Sequence, residues 1–132
     1  MKIENKIHRV TSSEMKKIEK ELAKMDYLKI CKIDASKTNS CKDLYKEIAK
    51  AFNFKYTDDY YYYLDYIRDL YDEMNLDKQG FAIIIYNYEK SKKYDTQHFE
   101  KIMSMLCEEY LEIYINCKRE EVEVFFSVYL VD

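Results

Sequence analysis

Six consecutive apolar residues, Phe81-Ala82-Ile83-Ile84-Ile85-Tyr86, constrain the fold of this 132-residue chain more than any other feature. A run that short, that apolar and that rich in β-branched side chains matches a strand buried on both faces, as happens where helices cover a parallel sheet. The segments around it read as helices and two further strands. Thr11-Ser12-Ser13-Glu14 is a capping box, and Met15, Ile18, Leu22 and Met25 then recur at helical spacing. Tyr27–Asp34 reads as a strand. Ser40 caps a second helix whose inward residues are Leu44, Ile48, Ala51 and Phe52.

A third helix is predicted over 60–74. Asn75–Gly80 reads as a turn, with Gly80 supplying a positive φ. Asp95 or Thr96 caps a fourth helix, with Phe99, Ile102, Met103, Leu106, Tyr110 and Ile113 facing inward, and Val122–Val131 closes the chain as a strand. Strands separated by helices imply crossover connections. The expected fold is α/β: a small three-stranded parallel sheet covered by helices, with Phe81–Tyr86 in the middle. Residues 1–26 form an N-terminal helical extension in this reading, and 27–132 the α/β domain.

Composition excludes several functions. With one glycine and no proline, no glycine-rich phosphate loop can be built. The four cysteines, Cys31, Cys41, Cys107 and Cys117, form no close pair, and the histidines are His8 and His98. Neither a zinc site nor a disulfide framework is signalled, and no metal or cofactor is expected. The apolar runs are too short to span a membrane, and the first residues, Met-Lys-Ile-Glu-Asn-Lys, lack a signal-peptide hydrophobic region. A cytoplasmic chain with reduced thiols is therefore expected.

The net charge of −3 is unevenly spread. Residues 1–50 carry 13 basic and 8 acidic side chains, whereas residues 51–132 carry 9 and 17. The first set is mostly Lys interleaved with Glu, the pattern of a solvated helix face, and the second repels phosphate. Nucleic acid is thus not an expected partner.

The acidity concentrates between Asp58 and Asp77, where seven carboxylates accompany one cation, Arg68. On the predicted third helix Asp65, Asp69 and Asp72 stand at i, i+4 and i+7 and form one stripe, flanked by Tyr62 and Tyr66. Like charges at that spacing repel, so folding does not ask for them. A solvated polar face is the plain reading, and a protein-contact surface is the functional one, because tyrosines beside carboxylates give rigid contact area at low entropy cost. Catalysis fits less well. A carboxylate pair at Asp65 and Asp69 would stand on a convex helical surface, whereas acid–base work needs a cleft. His98 and Cys107 are separated by about 13 Å of helical rise, too far for a nucleophile–base pair.

The segments "CKDLYKEIAKAFNF", "YYYYLDYIRDLYDEM" and "GFAIIIYNYEKSKKYDTQHFEKIMSML", set between two strands, resemble the barstar family of small inhibitors of secreted bacterial ribonucleases. The resemblance covers residues 27–131, and its most specific element is Leu64-Asp65-x-x-x-Asp69 after an aromatic loop, followed by the buried strand and Asn87-Tyr88-Glu89. It implies a non-enzymatic immunity protein whose acidic helix plugs the active site of a ribonuclease toxin. Asp69 would be the plug, Asp65 a supporting contact, and Glu108 an acidic contact on the fourth helix; a monomer or a 1:1 complex is implied. The alternative is a regulatory binding module of the same fold whose partner is not a nuclease. Tyr61-Tyr62-Tyr63 replace a glycine-containing loop of the family, and Arg68 stands where the family carries an aromatic residue. A cation there opposes a strongly basic target, so the resemblance points to a cognate enzyme that differs from barnase.

Overall fold

A computed structural model describes residues 3–51, 80–89, 95–110 and 125–132. Within them four strands, β1 (Ile7–Val10), β2 (Leu28–Asp34), β3 (Gly80–Tyr86) and β4 (Phe125–Val131), form one sheet in the order β1-β4-β3-β2. Every pairing is parallel. The helices are α1 (Ser12–Leu22), α2 (Cys41–Ala51) and α3 (Gln97–Met105), the last continuing into a wider π turn at Leu106–Tyr110. The fold is thus α/β, as expected, and β3 lies in the interior of the sheet between β4 and β2.

The expected three-stranded sheet is corrected to four strands. The additional strand, β1, precedes the predicted N-terminal helix and pairs with β4 through Ile7–Val128 to Val10–Val131. Residues 3–6 extend this attachment. The Asn5 side-chain oxygen accepts from the Phe126 amide at 2.9 Å, and the Ser127 hydroxyl donates to the Glu4 carbonyl at 2.7 Å. His8 stacks on Tyr129, with ring centroids 4.7 Å apart and planes inclined by 12°.

Side-chain alternation along the strands divides the core into two layers. On one face Cys31, Ile33, Phe81, Ile83, Ile85, Phe126, Val128 and Leu130 pack with Leu44, Tyr45 and Ile48 of α2 and with Phe99, Ile102 and Met103 of α3. On the other, Leu28, Ala82, Ile84, Tyr129 and Val131 pack with Met15 and Leu22 of α1. Six of the seven β3 residues are buried on both faces, which is why that strand reads as an uninterrupted apolar run.

The helix signals act as the sequence indicates. The Thr11 hydroxyl accepts from the Glu14 amide at 3.2 Å while the Glu14 carboxylate accepts from the Thr11 amide at 3.0 Å. Ser40 caps α2 by accepting from the Asp43 amide at 3.2 Å. At α3 the N-cap is Thr96 without a side-chain cap bond, and the Asp95 carboxylate accepts from the Gln97 amide at 2.9 Å. On α2 the inward face includes Tyr45 and Ala49, and Ala51 is exposed rather than buried. Phe52, Tyr110 and Ile113 as core side chains, and the helix at 60–74, lie outside the described residues.

Gly80 is needed for a different reason from the turn the sequence suggests. It opens β3 between Leu28 and Phe125, and its φ is not positive. A Cβ there would stand 2.6 Å from the Phe125 Cβ and 2.7 Å from the Phe125 carbonyl oxygen. Since backbone cannot swing aside as a side-chain tip can, Gly80→Ala is expected to destabilise the fold by about 1–3 kcal/mol through overpacking. Urea unfolding measures this, and unchanged stability would show that β3 and β4 separate freely there.

Cys31 and Cys107 are free and buried, and Cys41 is free and half-buried. Burial pushes the Cys31 thiol up to about 12 and raises Cys107 as well, so both resist forming the reactive thiolate. Alkylation of the native protein without reductant should spare these two, and alkylation after unfolding should modify all four cysteines. Fewer than four would reveal a disulfide.

Candidate functional site

Of the side chains expected to contact a partner, Glu108 falls in the described residues. It is exposed on the π turn that follows α3, and its carboxylate accepts from the Ser104 hydroxyl at 3.3 Å. The turn Leu106–Tyr110 turns Leu106 and Cys107 into the core and leaves Glu108 exposed. Tyr62, Asp65, Tyr66, Arg68, Asp69 and Asp72 lie outside the described residues. His98 is exposed and Cys107 buried, so no nucleophile–base pair forms between them.

The carboxyl ends of the strands carry a polar network whose pairings the sequence did not announce. At the end of β1, Arg9 forms an ion pair with Glu100 of α3. The other Glu100 oxygen accepts from the Tyr88 hydroxyl at 2.8 Å and from the Thr96 hydroxyl at 3.3 Å. The Tyr88 ring is buried after the end of β3, and this burial, with the Glu100 carboxylate beside it, raises the phenol above its ordinary range. Tyr88 therefore stays a neutral donor at any physiological pH. These partners come from residues 9, 88, 96 and 100, and no local spacing announces them.

Beside it, Asn87 takes a left-handed conformation, φ 58°, which asparagine tolerates better than most residues. Its side-chain amide donates to Asp34 at 2.9 Å and so ties the ends of β3 and β2 together. Ser36 adds donations from its amide at 3.0 Å and its hydroxyl at 2.7 Å. The bond from Asn87, then those from Ser36, hold the Asp34 carboxyl down to about 2. A depressed folded value means that this group's contribution to stability is complete above the ordinary aspartate value near about 4 and is lost as pH falls toward about 2. The contribution is small because the carboxylate is exposed. Asn87→Ala should return the Asp34 titration toward the ordinary value, read by carboxyl-carbon NMR; an unmoved midpoint would remove Asn87 as the cause.

Among the described residues no group of His, Cys, Asp and Glu could hold a metal ion. Nor is any helix among them long and apolar enough to cross a membrane.

No curated protein matches the chain in sequence. Among solved structures, the ORC2 protein of Aeropyrum pernix, described in ADPNP–ADP complexes, is similar with a TM-score of 0.63 and 11% identity. The similarity covers 96% of this chain and 35% of that one, so the chain spans about a third of that protein's length. Identity that low shows a shared fold alone. The barstar (barnase inhibitor) family model matches residues 28–129, from the first residue of β2 to within β4, and takes in α2, β3, α3 and Glu108. By that match, over most of its length, the chain belongs to the barstar family.

Proposed function

We propose that this chain inhibits a ribonuclease toxin by inserting the acidic stripe Asp65, Asp69 and Asp72 into the enzyme's electropositive active site. The observation that carries this reading is the family match over residues 28–129, within which all three aspartates fall. Barstar-family proteins are non-enzymatic inhibitors, and membership suggests a barnase-like ribonuclease as partner. The chemistry suits that partner. A ribonuclease binds a polyanion with clustered cations, and carboxylates spaced along a helix imitate the phosphates and steer association. Tyr62 and Tyr66 supply apolar contact area beside the charge, and exposed Glu108 adds a second acidic point of contact. Arg68 sets the target apart from barnase, because it opposes a cation-rich surface.

The nucleotides named for the ORC2 structure are not carried over, because a phosphate-cradling loop needs closely spaced glycines and this chain has one. The direct test adds the purified protein to its cognate ribonuclease cleaving RNA. Cleavage should fall to zero at one equivalent of protein, and raising the salt concentration should slow the onset of inhibition. Full cleavage in the presence of excess protein would overturn the reading.

A further inference from the structure

Arg9 belongs to β1, outside the residues that the family model matches, and it lines a cavity of about 520 Å³ with Tyr88, Glu89, Glu100, Leu130 and Asp132. The position of this cavity follows from the topology. After β1 the chain passes to α1 on one face of the sheet, whereas after β3 it passes to α3 on the opposite face. The two connections diverge on either side of the end of β4, and in open parallel sheets the crevice at such a divergence, outside the carboxyl ends of the strands, is where ligands bind. Its volume is in the range of small-molecule sites.

The lining defines the ligand. Arg9 is held by Glu100, which is itself fixed by the Tyr88 and Thr96 hydroxyls, so the guanidinium is oriented before any ligand arrives. That pairing engages one Arg9 nitrogen, and the remaining guanidinium N–H groups meet no protein acceptor among the described residues. Asp132 is anchored through its backbone, its amide donating to Val10 and its carbonyl accepting from Ser12 at 2.9 Å. Its side-chain carboxylate is engaged by no hydrogen bond or ion pair among the described residues. A fixed cation with spare forked donors and the unengaged Asp132 carboxylate therefore line one crevice, with Leu130 as apolar wall and the Glu89 carboxylate, which has a partner of its own, also on the lining. Forked donors of that kind recognise a carboxylate, and the facing carboxylate recognises an ammonium group.

The geometry points to a binding site for a small zwitterion of the α-amino acid class, with its carboxylate on Arg9 and its ammonium on Asp132. The β1 strand, which lies outside the residues that the family model matches, supplies the guanidinium of this site.

The test titrates L-leucine, N-acetyl-L-leucine and L-leucine methyl ester into the full chain and follows the backbone amide resonances of Leu130 to Asp132. Leucine should bind saturably, and each analogue, lacking one charge, should bind about tenfold more weakly or worse. Asp132→Asn, which leaves the backbone anchors in place, should abolish the preference for leucine over the N-acetyl compound. Arg9→Gln should abolish the preference over the ester. No saturable shift with leucine, or equal binding of all three compounds, would overturn the site. Ribonuclease inhibition, measured in parallel, should be unchanged in the Asp132→Asn variant, so failure here is distinguishable from failure of the inhibitor reading.

Discussion

Truncating Ile84 to Ala should lower the stability of the fold by about 2–5 kcal/mol, the cost of removing a branched side chain from a core that cannot collapse around the gap. Ile84 is fully buried on the interior strand β3. It sits in the layer formed with Met15 and Leu22 of α1 and with Leu28, Tyr129 and Val131 of the sheet. Neighbouring strands on both sides hold its backbone by parallel pairing to Lys32 and Tyr129, so the strand has little freedom to shift and fill the void. Chemical unfolding of the purified variant gives the value directly. A change near zero would mean that α1 does not cover this face, and that the N-terminal segment is not part of the core.

How far the sequence disclosed this architecture depends on whether a signal was local. The apolar run Phe81–Tyr86 carries its own evidence, because a strand buried on both faces has no polar residue to alternate with. Thr11 and Glu14 lie within one turn, so both halves of the capping box are visible together. β1 has no such signal. It spans four residues, two of them His8 and Arg9, and becomes a strand because β4, more than a hundred residues later in the chain, offers a free edge. The Arg9–Glu100 and Asn87–Asp34 pairs are similarly remote, with separations of 91 and 53 residues.

Gly80 shows the limit of reading a residue type by its commonest use. Glycine near a turn suggested a positive φ, but the requirement is close approach to Phe125, and Asn87 takes the left-handed conformation instead. The acidic stripe Asp65, Asp69 and Asp72 is an expectation from spacing and lies outside the described residues, whereas Glu108, the separate acidic contact, is on the π turn.

The proposed inhibition turns on Asp69. If its carboxylate enters a cation-lined active site, Asp69→Ala leaves those cations buried without a counter-charge. The expected loss is about 2–5 kcal/mol or more in binding, mostly as faster dissociation, and the barnase–barstar pair is itself the standard measured case of such coupling. Asp69→Asn should be nearly as damaging, because it keeps the shape and removes the charge. Asp72→Ala, at the end of the proposed stripe, should mainly slow association and flatten its salt dependence. Folding stability should change little in all three, since like charges at i, i+4 and i+7 repel and do not stabilise a helix. The decisive measurement is the dissociation rate of wild type and Asp69→Ala from the cognate ribonuclease, with thermal unfolding of both proteins alongside. Much faster dissociation at unchanged thermal stability is expected, and an Asp69→Ala variant that dissociates as slowly as wild type would rule out the active-site plug.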